Sequence, residues 1–385
     1  MQELVIRAPQ VEQTSGGSIV QVRLESPNGP FDACIEVTGA TVQAGASPFA
    51  IYCLPICMAK GWNLRSELPV SSKLLATIPQ IQDIFLHFLP GMQRVKVDAP
   101  SVVEQQLLNR ETASFFSGGV DGFYTFLKHR QRISRLIFAA GFDITLSQTK
   151  VVNIVQQQIR LMAQELEVGL IEVKSNMRQF SDALLHWRFF IGASMAGTAS
   201  LLSNLVETVY IGSSHHYGDI YPWGTHPLLD PLWSTEAVNV INDGCEATRL
   251  MKLSLVAKDP VALRRLRVCF NNRDDRYNCS RCEKCIRTMV GLRLLGVLEQ
   301  SGTFVRELDL KRISKLGIGD NAHVMRINLE NYQYAKKHRI DPALERALQL
   351  SLRKTSWIRR ARQRIKGILQ KPVASTVLGA KIKHD

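Results

Sequence analysis

The 385-residue chain has no apolar run of the length a bilayer requires. Its opening Met1-Gln2-Glu3-Leu4 has neither the basic start nor the apolar stretch of a secretory signal. A membrane-spanning or exported protein is therefore not expected. No Gly-Lys-Ser/Thr follows the glycines at 118 and 119, which excludes a Walker-type phosphate loop there. Acidic residues nearly vanish at one end: from Arg353 to Asp385 a single Asp faces ten Lys or Arg, so this segment supplies nine of the net +14 charges. Eight cysteines, four of them clustered, fit a reducing cytoplasm better than a disulfide framework. A cytoplasmic location follows as an expectation. Apolar residues at 45% and charged residues at 21% are ordinary for a globular protein, and the length suits two or three domains with a large core.

What is present begins with a turn. Ser117-Gly118-Gly119-Val120-Asp121-Gly122 follows an apolar run, Ala113 to Phe116, and leads into an apolar helix-like stretch up to Lys128. A strand, a glycine turn and a helix start together can grip a polyphosphate through backbone N–H groups at the positive end of a helix dipole. Ser117 adds a hydroxyl donor, and Asp121 is a candidate ligand for the Mg2+ that accompanies a nucleotide. The residue types make the chain a candidate ATP user. A plain surface turn is the competing reading, and the strand before the turn argues against it.

Cys269, Cys279, Cys282 and Cys285 are spaced Cys-x9-Cys-x2-Cys-x2-Cys. Four thiolates at such spacing match a closed, structural Zn2+ site. An iron–sulfur cluster is the rival, but the Cys-Pro that ends the ferredoxin run is missing. Arg273, Arg276, Arg281, Lys284 and Arg287 can offset the thiolate charge. Cys34, Cys53, Cys57 and Cys245 read as packing residues.

The two motifs, in this order, resemble those of the PP-loop ATP pyrophosphatase (adenine nucleotide alpha-hydrolase-like) superfamily, and in particular the relatives of 7-cyano-7-deazaguanine synthase. The likeness spans about Thr112 to Gly296, and Gly122 stands where that signature has serine. It implies a Rossmann-like parallel sheet sandwiched by helices. It also implies cleavage of ATP between its α and β phosphates, with AMP passed to a substrate oxygen and pyrophosphate released. The residues implied for ATP are Ser117, Gly118, Gly119, Val120, Asp121 and Gly122, with Ser117 and Asp121 in catalytic roles. Attack by an amine or ammonia would then make the chain a C–N ligase or synthase. Sulfur transfer through Cys245 is the runner-up, and a degenerate nucleotide-binding scaffold is the non-enzymatic alternative.

The chain divides by rhythm. Residues 1–110, with strand-like alternation at 4–6, 18–24 and 31–37 and helical stretches at 48–60 and 72–89, read as an α+β accessory domain and a candidate homodimer face. Residues 111–296 alternate strands (113–117, 135–140, 170–173, 208–212) with helices (121–132, 151–167, 189–205), the pattern of an α/β parallel sheet. Residues 297–385 read as a helical region ending in a basic tail at 353–385. That tail is a candidate contact for RNA, anionic lipid or an acidic protein.

After the strand at 208–212 comes a loop rich in His, Ser and aromatic residues. Ser213, Ser214, His215, His216 and Asp219 are the candidate contacts for a small-molecule substrate. The stretch from Asp230 to Glu236 is a candidate to cap a helix or line the same cleft. Arg264, Arg265 and Arg267 are candidates to face phosphate.

Overall fold

The computed structural model describes residues 2–271, 276–314 and 322–354. The chain forms two compact units, Met1–Leu308 and Asp309–Asp385. In the first unit the N-terminal elements are β1 (Glu3–Ile6), β2 (Gln10–Thr14), β3 (Gly17–Ser26), β4 (Gly29–Thr38), α1 (Ser47–Lys60), β5 (Asn63–Ser66), β6 (Val70–Ser71), α2 (Ser72–Phe88), β7 (Val97–Asp98) and β8 (Ser101–Val102). There follow β9 (Glu111–Phe115), α3 (Val120–Lys128), β10 (Arg135–Ala140), α4 (Thr149–Glu165), β11 (Gly169–Ser175), α5 (Met177–Ser181) and α6 (Trp187–Leu201). The unit continues with β12 (Val206–Gly212), β13 (Asn239–Asp243), α7 (Arg249–Val256), α8 (Pro260–Arg265) and α9 (Glu283–Leu294). The second unit contains α10 (Leu310–Ile313), α11 (Ala322–His338) and a helix over 342–354. Of the basic tail, residues 355–385 lie outside the described residues.

The fold is α/β. Strands β13, β12, β9, β10 and β11 lie side by side in that order, all parallel. Strand alternation explains why helices cover both faces. In β10, Leu136, Phe138 and Ala140 pack into one core with α3 and α4, while Ile137 enters another with α1 and α6. The chain runs from β9 through β10 to β11 on one side, then crosses back to place β12 and β13 on the other. The order reverses between β9 and β12, and the loops leaving these two strands open a crevice there. This is the Rossmann-like arrangement.

The expected boundary near residue 110 is not a boundary in the structure. Strand β4 pairs antiparallel with β11, and β3, β1, β5 and β7 continue the same eleven-stranded sheet. The inward residues of the N-terminal strands (Leu4, Val20, Leu24, Ile35) share one core with Ile171, Val173 and α6. Helix α1 is apolar all round and almost wholly buried, so it needs covering on every side. It lies against α6, where the Tyr52 hydroxyl and Thr198 Oγ1 are 2.7 Å apart. The second unit likewise begins at Asp309 and not at 297.

Ile35 is fully buried on β4 and pairs with Ser175 of β11. Ile35→Ala should cost about 2–4 kcal/mol. Hydrogen exchange should show protection falling together in residues 1–110 and in the parallel strands. Loss confined to residues 1–110 would reinstate a separate domain.

Candidate functional site

The turn after β9 folds as its residues require. Gly118 has φ +73°, a left-handed value that costs an L side chain energy, and Gly119 caps α3 from an extended conformation. A Cβ on Gly118 would lie 3.1 Å from Met162 Cε. The first N–H groups of α3 have no carbonyl four residues back within the helix, and Ser117 stands exposed at its mouth.

A cleft of about 240 Å3 opens above this turn. Ser117, Gly119, Asp121, Gly122 and Ser214 line it, so the loops after β9 and β12 meet as expected. Four cations line it as well, namely Arg249, Arg267, Lys284 and Arg287, against two carboxylates, Asp121 and Asp143. Burial lowers the pKa of the Arg267 and Arg287 guanidinium groups, both less than a tenth exposed, yet arginine keeps its charge. The cleft is therefore electropositive. Its lining also includes an apolar and aromatic set, Phe116, Phe142, Ile191, Met195 and Trp223.

Asp121 departs from the role expected of it. Both its oxygens accept from Arg249 Nη1 at 3.0 and 3.1 Å, and Oδ2 also accepts from Ser214 Oγ at 3.2 Å. Lys252 Nζ, on a nearly inaccessible side chain, is 3.6 Å from Oδ1. Burial by itself would raise the carboxyl pKa, but Arg249 and Lys252 outweigh it and hold the group well below the usual carboxylate range. Its charge and lone pairs are thus spent on protein donors. This donor set does not fit a protein-held Mg2+.

The loop after β12 divides by function. Ser214 reaches the cleft. Ser213 is buried, with its N–H on Asp243 O at 2.7 Å and its hydroxyl on His215 O at 3.1 Å. Lys252 Nζ donates to the Ser213 carbonyl. His215 is buried edge-on to Tyr221 and Trp223, and burial pulls its pKa down to about 4. Asp219 Oδ1 accepts from the His216 N–H at 2.9 Å, and His216 Nδ1 accepts from the Gly218 N–H at 2.8 Å. Of the five substrate-side candidates, only Ser214 lines the cleft; the other four hold the loop in shape.

Glu236 does cap a helix, accepting from Ser71 Oγ, Ser72 Oγ and the Lys73 N–H at the start of α2. Asp230 is fully buried away from the cleft, accepting from the His226 N–H and Asn242 Nδ2. Arg264 and Arg265 bind Glu165 of α4, and only Arg267 of that trio faces the cleft. Cys245 is a core thiol that donates to Ser213 Oγ and Asn242 Oδ1. Sequence reasoning missed Arg249 and Lys252 of α7, which no local motif marks.

The four cysteines come together as their spacing requires. Their sulfurs all lie within 4.8 Å of one another, with Cys279–Cys285 and Cys269–Cys282 each at 3.9 Å. Zn–S bonds of about 2.3 Å in a tetrahedron set sulfurs about 3.8 Å apart, so the buried group can hold a metal such as zinc. Backbone N–H groups of Cys282 and Cys285 already point at Cys279 and Cys282 Sγ. Asn278 staples the entry, accepting from the Val268 and Cys269 N–H groups and donating to Leu266 O. Among the cations expected to offset thiolate charge, Lys284 and Arg287 instead reach the cleft, and Arg273 lies outside the described residues.

No family model matches the chain, and neither a curated protein nor a solved structure matches it.

Purified protein should carry one zinc per chain by elemental analysis, and Cys285→Ser should abolish it; a brown chromophore or substoichiometric zinc would overturn the assignment. Asp230 offers a separate test. Burial raises its pKa to about 7, while its two hydrogen-bond donors oppose the rise. The folded chain then holds a proton that the unfolded chain releases near pH 4, so this group's contribution to stability should fall as pH rises from about 4 to 7, by up to about 1.4 kcal/mol per pH unit. Denaturant titrations of Asp230→Asn, which keeps an acceptor for the His226 N–H, should show a shallower fall across that window than wild type.

Proposed function

We propose that the chain is an ATP-dependent, AMP-forming enzyme of the PP-loop kind. The observation that carries this reading is the left-handed glycine turn at the strand-order reversal, opening into a cleft with four cations. The N–H groups of Gly119 and Val120 and the hydroxyl of Ser117 would hold phosphate oxygens. Arg249, Arg267, Lys284 and Arg287 would offset the charge that builds on the departing pyrophosphate. An acceptor oxygen, from a carboxyl or carbonyl group, attacks the α-phosphorus; the bond to the β-phosphate breaks and pyrophosphate leaves. An amine or ammonia then displaces AMP. Positioning carries the rate, since no side chain becomes covalently attached.

Gly122, the departure from the superfamily signature, has a packing reason. A Cβ there would lie 3.3 Å from Cδ2 of Phe116, the residue after β9, so a serine would require that ring to give by a few tenths of an ångström. The substitution does not argue for a degenerate site. Sulfur transfer draws no support from Cys245, whose thiol is buried, hydrogen-bonded, and has its pKa raised by burial.

Incubation with ATP, magnesium and candidate acceptors should yield AMP and pyrophosphate; ADP as product would contradict the reading. Gly118→Ala, forced against both its φ and Met162, should weaken binding of α,β-methylene-ATP by at least about tenfold in calorimetry. Unchanged affinity would place the nucleotide elsewhere.

A further inference from the structure

Arg287 sits on the second turn of α9 with a side chain only 7% exposed. Its Nη1 is 3.3 Å from Glu283 Oε1, one turn back, and its buried Nε has no hydrogen-bond partner. A buried guanidinium with an unused donor is costly, and the same side chain lines the cleft. Lys284, three residues earlier on α9, lines it too, with Nζ 5.5 Å from the centre of the Phe270 ring. Arg267 enters from the segment before the first cysteine. Arg249 Nη1 reaches both oxygens of Asp121, a lining residue of the same cleft. Arg267, Lys284 and Arg287 share the cleft with one further lining acid, the exposed Asp143, itself bonded to Trp187 Nε1 at 3.1 Å.

We propose that these cations form a second oxyanion subsite beside the glycine turn, centred on Arg287 with Lys284 and Arg267, and built for a phosphoryl group. The Arg287 fork supplies directed donors, and the two further cations match the double charge of a phosphoryl oxyanion better than the single charge of a carboxylate. Its frame is the cysteine group: Cys282 caps α9 and Cys285 stands between the two α9 cations. The phosphoryl group has two possible sources, the β and γ phosphates of a nucleotide or a phosphate on the second substrate. Only that choice of source rests on the ATP reading.

The test titrates inorganic pyrophosphate into the zinc-loaded full chain by calorimetry. Arg287→Gln should weaken binding by at least about tenfold, with Arg287→Lys intermediate because it keeps charge but loses the fork. Arg264→Gln, on an outward arginine bonded to Glu165, should leave binding unchanged. Zinc content and melting temperature report whether Arg287→Gln is folded. Should it fail that check, Lys284→Gln, on a more accessible side chain, should show the same loss. Wild-type affinity in a folded Arg287→Gln or Lys284→Gln protein overturns the subsite. Repeating the wild-type titration with saturating α,β-methylene-ATP identifies the source: abolished pyrophosphate binding assigns the subsite to the nucleotide's own phosphates, and retained binding assigns it to a second substrate. If pyrophosphate binds through Arg287 but the analogue never binds, the ATP reading fails and the subsite stands. If the analogue binds and Arg287 is irrelevant to pyrophosphate, the subsite alone fails.

Discussion

One main-chain hydrogen bond joins the two halves of the site: the Arg267 N–H donates to the Gly118 carbonyl at 2.8 Å. Gly118 is the residue whose left-handed φ makes the glycine turn, and Arg267 is two residues before the first cysteine. The bond therefore fixes the turn against the cysteine segment. Tyr277, inside that segment, adds a second clasp by donating its hydroxyl to Arg265 O at 2.9 Å. Asn278 holds the strand of chain between them through three bonds of its own. A turn of six residues cannot impose such geometry alone; the long-range bond supplies the constraint that local sequence lacks.

The electrostatics follow from how Asp121 is used. A carboxylate in the first turn of α3 is favoured there by the helix dipole. In this chain it also gathers Arg249 and Lys252 from α7, and Lys252 in turn binds the Ser213 carbonyl. Asp121 thus joins α3, α7 and the loop after β12 at the crevice. Lys252 is buried only because it has both partners, since an unpaired buried ammonium would be prohibitively costly. The acid holds these three elements together where it lines the cleft. The other positive charge lining the cleft lies on Arg267, Lys284 and Arg287.

The parts of the fold legible in the sequence were those with local signals. The strands at β9, β10, β11 and β12, and helices α3, α4 and α6, came within a few residues of their positions because alternation and helical period are short-range properties. Strand β13 was missed because Asn239, Asn242 and Asp243 mask the alternation of an edge strand. The union of residues 1–110 with the parallel sheet was illegible for a different reason. It rests on the pairing of β4 with β11, which brings together residues more than a hundred positions apart, and no local pattern encodes a partner. The site divides in the same way. The glycine turn and the cysteines were visible as spacings, whereas Arg249 lies 128 positions from Asp121 and is found only once the sheet is folded.

Helical period links the metal site to the cleft. On α9 and its cap, Cys282 and Cys285 are three apart and share one face. Lys284 and Arg287 are also three apart and share another. Successive residues on a helix are offset by about 100°, so the cation pair, two positions on from the cysteine pair, lies nearly on the opposite side of α9 from it. The Cys-x2-Cys that anchors the helix start therefore also dictates where Lys284 and Arg287 point. A metal held by the four sulfurs would restrain the first turn of α9 at the place where frayed backbone would otherwise let those cations swing out of the cleft. On this geometry the cysteine group does more than brace the domain's end: it sets the direction of the positive charge.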